Sequence, residues 1–245
     1  LLNFFIGIFY RIMLMISWRI IVFDDALKKR LQCFGNKNKI VVIPHGVEKF
    51  KSTVSKKESR NMLGLSKDDF ILLYFGYLAW YKGIDLLIKY FNEIKNDEKQ
   101  IKLIIAGGPN PNHLEKKYYQ DYIQNIKADC KKNNIILTGF IQEKDIPLYF
   151  QASDLIVFPY RTLMSASGPL SIAFSFQKPV IISKALSKMF ETNDLKDASI
   201  ELKLDKNEMI FETLDEFENK INQIKTNPVL KERLEALSLL MAKKR

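Results

Sequence analysis

Residues 154–183, DLIVFPYRTLMSASGPLSIAFSFQKPVIIS, read as strand, turn, helix and strand. Leu155 to Phe158 is a short continuous apolar run, as expected of a strand buried on both faces, and a Pro-Tyr-Arg turn follows it. Ser165, Ser167 and Gly168 stand just before an apolar helical segment, and Lys178-Pro179 leads into a second apolar run. Free N–H groups at a helix start attract anions, and small hydroxyl residues with Gly let a phosphate approach the backbone closely. Arg161 adds a fixed charge suited to phosphate oxygens. Each of these is also an ordinary turn residue. Their coincidence ahead of an apolar helix points to a phosphate-bearing ligand.

The same rhythm extends outward in both directions. KIVVIP (39–44), FILLYFG (70–76), IKLIIAGG (101–108), NIILTGF (134–140), DLIVFPY (154–160) and KPVIIS (178–183) are short runs rich in Ile, Leu and Val, bounded by Gly, Pro or polar turns. Between them, Ile84, Leu86, Leu87, Tyr90, Phe91 and Ile94 recur at helical spacing, 113–132 reads as a polar surface helix, and 143–152 as a short one. Six strands alternating with helices predict an α/β fold with a doubly wound parallel sheet, in which ligands bind beyond the carboxyl ends of the strands. From about residue 187 the strand signal weakens. Residues 211–225 and 228–240 read as two amphipathic helices, the first with Asp215 and Glu216 near its positive end.

Residues 1–23, LLNFFIGIFYRIMLMISWRIIVF, predict a helix over roughly 3–18 and a buried strand from Arg19 to Phe23. Arg11 and Arg19 argue against a membrane span, since a central arginine costs about 2.5–3.5 kcal/mol on insertion. A secretory signal would need a basic start and a small-residue cleavage site, which this segment lacks. A strand this apolar needs a sheet to join, and the chain has no initiator Met, so a fragment or processed product is expected.

Composition narrows the class. With 245 residues, 47% hydrophobic and 27% charged, the chain suits one large domain or one domain plus part of another. Cys33 and Cys130 are far apart and His45 and His113 are the sole histidines, so neither a metal cage nor a disulfide framework is expected, and a reducing, cytoplasmic setting fits. The net charge of +10 suits nucleic acid, an anionic membrane face or a phosphate-bearing substrate. Lysines interleaved with acids, and the lack of any nucleic-acid-binding motif, disfavour the first.

Further strand exits carry candidates, each with a bland counterpart. In FGYLAWYKGID (75–85), Gly76 follows a strand and Lys82-Gly83 opens the next helix, so the lysine can reach back toward a diphosphate; otherwise it is a solvated lysine beside a turn. Gly139, Phe140 and Ile141 form an exit whose backbone could meet a flat base, or a simple turn. His45, in IPHGVEKF (43–50), is either surface or cleft-facing. Gly107-Gly108 is an ordinary tight turn. There is no GxxxxGK[ST] P-loop and no GxGxxG fingerprint.

Taken in order, IPHGV, FGYLAWYKGIDLLI, LIIAGGP, ILTGFI, IPLYFQASDLIVFPYR and SGPLSIAFSFQKPVI resemble the family 4 retaining glycosyltransferases of the two-Rossmann-domain GT-B fold. The resemblance implies that residues 1–47 are the tail of an amino-terminal acceptor domain, 48–210 the sugar-nucleotide domain, and 211–245 helices packing back across the junction. It implies metal-independent transfer of a hexose from a UDP- or GDP-sugar to a saccharide or lipid-linked acceptor, with no cofactor; the net charge adds an expected contact with an anionic membrane from the cytoplasmic side. By the same resemblance Lys82 is the diphosphate lysine, Gly139 to Ile141 the base turn, and Ser167 and Gly168 the phosphate-binding helix start; the residues themselves add Gly76 and Ser165 to the phosphate site, and Lys82 with Arg161 is the expected catalytic pair. Two positions depart. Tyr77 and Ala79 stand where the family has a first-loop arginine, whose charge Arg161 is expected to replace in part. Met164 and Ile172 stand where it has a glutamate pair. A degenerate, non-catalytic binding domain is the alternative these departures raise.

Overall fold

The computed structural model describes residues 2–47, 50, 54–94, 101–132, 134–162 and 167–245. At its amino-terminal end, α1 (Leu2–Ile16) is followed by β1 (Ile20–Val22), α2 (Asp25–Gln32) and β2 (Ile40–Val42). β1 and β2 pair in parallel, Ile20 opposite Ile40 and Val22 opposite Val42, over a small core of Leu14, Val22 and Ile40. Asp24 caps α2 by accepting from the Leu27 N–H at 2.7 Å. The Lys39 ammonium donates to the carbonyls of Leu14, Met15 and Ser17 at 3.0, 3.1 and 2.9 Å, satisfying the end of α1. The strand expected to be buried is so only at Val22; Ile21 is exposed, as are Phe4, Phe5, Phe9 and Ile12 of α1.

The main sheet follows. Its elements are α3 (Lys56–Met62), β3 (Phe70–Phe75), α4 (Ile84–Glu93), β4 (Ile101–Ala106), α5 (Lys117–Asp129), β5 (Ile135–Gly139), α6 (Ile146–Ala152), β6 (Leu155–Phe158), α7 (Gly168–Ser175) and β7 (Val180–Ser183). Then come α8 (Asn193–Glu201), β8 (Ile210–Phe211), α9 (Leu214–Thr226) and α10 (Pro228–Lys244). All six strands of the sheet are parallel, in the order β5-β4-β3-β6-β7-β8. Strand order reverses between β3 and β6, the place where doubly wound sheets open a crevice. Ile71 to Tyr74, Leu103 to Ala106 and Leu155 to Phe158 are almost fully buried, which accounts for apolar runs without alternation.

Two strands depart from the sequence reading. The run 39–44 does not join the main sheet; β2 belongs to the separate pair with β1. The sixth strand is instead β8, two residues that pair with Ile182 and Ser183 of β7. A two-residue strand has no periodicity to detect, and the helix expected from 211 begins at Leu214, where Thr213 and Glu216 form a capping box.

Asp154 locks α3 to the sheet. Its buried carboxylate takes the Arg60 guanidinium at 2.6 Å, the Lys56 ammonium, and the Ile71 N–H at 2.8 Å. At the other end α10 packs on α7 and α8, and the Ser238 hydroxyl donates to the Lys178 carbonyl at 2.6 Å. The chain end reaches across as well: Arg245 pairs with Asp194 at 2.5 Å, and its carbonyl lies beside Gly46.

Candidate functional site

A cavity of about 370 Å³ opens at the exits of β3, β4 and β5. Gly76, Ala106, Gly107 and Gly108 line it, three of them with no side chain, and we call this lining its floor. The Gly76 N–H donates to Ala106 O and the Leu78 N–H to Gly108 O, both at 3.0 Å, so the two strands stay laced beyond their ends. A Cβ on Gly107 would lie 1.8 Å from Gly76 O, so only glycine permits this approach. The walls are Phe75, Tyr77, Phe140, Ile141, Ile146 and Pro169, and the charged lining residues are Lys82 and Glu143.

Lys82 ends a short 3-10 turn, Trp80–Lys82, ahead of α4. Gly83 then turns the chain at φ +68°, and a Cβ there would meet Pro159 O at 2.0 Å. The turn therefore seats on the β6 exit and aims the lysine back over β3. Its Nζ lies 2.7 Å from where a Cβ on Gly76 would stand, and 5.7 Å from the centre of the Tyr160 ring. Lys82 is buried, and no carboxylate among the described residues pairs with it. Burial lowers its pKa to about 8. A buried, unpaired ammonium at a cavity floor is a ready partner for an anion.

α7 offers less than its sequence suggested. The Ser167 hydroxyl is taken by the cap, accepting from the Leu170 N–H at 3.3 Å, and Pro169 has no N–H. The Ser171 N–H bonds Ser167 O within the helix, so Gly168 carries the one amide of this first turn with no partner among the described residues. Ser165 and Met164 lie outside the described residues.

Arg161 is placed differently from expectation. Its guanidinium grips Asp85 with two bonds of 2.7 Å, donates to Trp80 O at 2.9 Å, and lies 5.0 Å over the Trp80 ring. Its backbone N–H donates to Tyr81 O at 2.8 Å. Burial alone would raise the Asp85 carboxyl, but the Arg161 bonds and charge outweigh it and hold that pKa below the usual carboxylate range. The guanidinium is thus held by a carboxylate and a carbonyl, two partners its sequence neighbours do not announce. It ties the turn carrying Lys82 to the turn after β6.

The structure brings Gly76, Lys82, Phe140 and Ile141 around one cavity. Gly139, at φ +75°, ends β5 just ahead of that wall and bridges Gly107. His45 sits elsewhere: its Nδ1 is 2.9 Å from Gly46 O and 3.2 Å from the Ser171 hydroxyl, and its ring packs near Phe23. It joins the segment after β2 to α7.

The sequence model described as "Glycosyl transferases group 1" matches residues 55–237. The chain belongs to this family. Over 123 residues it is 30% identical to the alpha-monoglucosyldiacylglycerol synthase of Streptococcus pneumoniae, covering 47% of this chain and 26% of that relative. Over 152 residues it is 28% identical to the lipopolysaccharide 1,2-N-acetylglucosaminetransferase of Salmonella typhimurium, covering 59% and 38%. The chain therefore matches less than half the length of these relatives. Its fold is that of GT-B glycosyltransferases. Anabaena HepE, crystallised with UDP and glucose, superposes with a TM-score of 0.72 at 20% identity, covering 97% of this chain and 62% of that one.

Several lining residues of the cavity were not singled out from sequence: Tyr77 as a wall, Glu143, Ile146 and Pro169. Asp85 lay in plain view beside Lys82-Gly83. Its partner is 76 residues away, a pairing that no local pattern announces.

Proposed function

We propose that this chain is the donor-binding part of a retaining, metal-independent hexosyltransferase, which moves a hexose from a nucleoside-diphosphate sugar to a hydroxyl of a saccharide or lipid-linked acceptor. One observation carries the reading: the buried, unpaired Lys82 ammonium held against the Gly76 backbone in the cavity. As the sugar–oxygen bond breaks, negative charge gathers on the leaving diphosphate. Lys82 meets that charge from a site largely shielded from water, with the Gly168 amide as a second donor. Loss of one such donor typically costs about 2.7–4 kcal/mol of transition-state stabilisation. Arg161 contributes by holding the Lys82 turn in place. Phe140 and Ile141 form the wall for the nucleoside, and no cofactor beyond the sugar nucleotide enters the scheme.

Residues 1–47 belong, in this reading, to an acceptor-side sheet domain. β1 and β2 are a parallel pair with Ile21 exposed, and parallel sheets are otherwise covered on both faces. Residues 211–245 then bridge the two units, as the contacts of Arg245 with Asp194 and Gly46 suggest. The net charge of +10 suits work at an anionic membrane face from the cytoplasmic side. Among the described residues no helix is long and apolar enough to cross a membrane.

The pairing of Arg161 with Asp85, together with Tyr77 and Ile172 at the departing positions, favours a second reading, a binding domain without catalysis. Calorimetric titration of the chain with UDP and GDP separates the outcomes. Binding of either nucleotide, weakened at least about tenfold by Lys82→Ala, supports the donor site. Absence of binding by both removes it and leaves the second reading.

A further inference from the structure

Glu143 is the single carboxylate among the described residues lining the cavity. It opens the short 3-10 turn Glu143–Asp145 that leads into α6, and an acid there ordinarily serves the positive end of a helix. Its side chain makes no hydrogen bond or ion pair with any described residue, and it is exposed toward the cavity mouth. The position matters more than the charge. β5 is two strands from β3, so with strands about 4.8 Å apart the Glu143 turn lies about 10 Å across the sheet from the Lys82 exit. That offset is of the order of the reach from a diphosphate, over a ribose, to a base.

Between the two charges the floor is bare backbone, and Phe140, 72% exposed, stands as an unsatisfied aromatic wall. A slot with a flat floor and one aromatic side accepts a planar ring and by itself does not distinguish one ring from another. The discriminating group is the carboxylate. Ionised, it only accepts hydrogen bonds and can take two from adjacent donors. Guanine presents such a pair, its N1–H and its 2-amino group, on one edge. Uracil presents one N–H flanked by two carbonyl oxygens, which a carboxylate repels.

We propose that Glu143 reads the base of the sugar nucleotide and that the preferred base is guanine. The inference rests on the nucleoside-diphosphate reading above, with Lys82 on the phosphates. Isothermal titration of the chain with GDP, IDP and UDP, using wild type, Glu143→Ala and Lys82→Ala, tests both levels separately. Wild type should bind GDP roughly ten- to a hundredfold more tightly than UDP, as a bidentate pair allows. IDP, which lacks the 2-amino group, should fall between them. Glu143→Ala should abolish the preference, by weakening GDP while leaving UDP affinity unchanged or raised. Because the side chain is exposed and unpaired, its ligand-free melting temperature should match wild type. Lys82→Ala should weaken all three nucleotides together. UDP binding as tight as GDP in wild type overturns the proposal. So does an equal loss of both nucleotides in Glu143→Ala, which would place the carboxylate on the ribose. In either case a common dependence on Lys82 leaves the nucleotide reading standing; if no nucleotide binds, both fall together.

Discussion

Replacing Lys82 by methionine is expected to stabilise the fold while removing nucleotide binding. The lysine sits 92% buried with no carboxylate beside it among the described residues, so its charge is held at a cost (relative exposure 8%). Burial moves its pKa from 10.5 to about 8. In the unfolded chain the group keeps its proton up to about pH 10.5, so between pH 8 and 10.5 the unfolded state binds the extra proton. Wild-type stability therefore rises with pH across that window, relative to the methionine variant. Below pH 8 both states are charged and the full penalty applies, about 3 kcal/mol at pH 7. By pH 9.5 about half of it remains. Methionine keeps the length of the stem and drops the charge, so most of the penalty should be recovered. Urea denaturation of both proteins at pH 7 and pH 9.5 measures the difference, and Lys178, half-buried with its pKa lowered to about 8, is common to both and cancels. A variant less stable than wild type at pH 7, or a gain that does not shrink toward pH 9.5, would refute the reasoning.

Other outcomes follow from the same geometry. If the protonated lysine binds the diphosphate, nucleotide affinity should fall about tenfold from pH 7 to pH 9, as the charged fraction drops from about nine-tenths to about one-tenth around a pKa of about 8; Lys82→Arg should flatten that dependence in titration calorimetry. Arg161→Ala should cost about 1 kcal/mol of stability, a partly exposed pair being worth little more, and should weaken nucleotide binding; a double-mutant cycle with Asp85→Asn, read by denaturation and by titration, should show the two residues coupled. Asp154→Ala should cost about 3–5 kcal/mol, because it strands the buried Arg60 charge and frees the Ile71 N–H; chemical denaturation gives the number directly.

The fold was legible wherever burial on both faces left a continuous apolar run. β3, β4, β6 and β7 are such strands, and their Gly or Pro ends were visible too. Which sheet a strand joins is a different matter. Ile40 to Val42 looks like the others, yet it pairs with β1, and nothing in its residues could say so. β8 was invisible because two residues carry no period. At the site, Lys82-Gly83 stood out since a tight turn needs Gly where Pro159 O presses in. For Arg161 the charge was legible but its pairing with Asp85 was not, since folding alone brings the two into contact. Glu143 drew no notice, since an acid at a helix start has an ordinary explanation that sequence cannot separate from a ligand-facing one.

Three glycines line the cavity, and this limits how its preferences can change. Gly76, Gly107 and Gly108 contribute no side chain, and Gly107 tolerates none. Mutation can break this surface but cannot retune it. Variation in what the protein accepts is therefore open mainly to side chains of the walls, among them Tyr77, Phe140, Glu143, Ile146 and Pro169. A library aimed at new donors should spend its diversity on those five positions and leave the glycines alone.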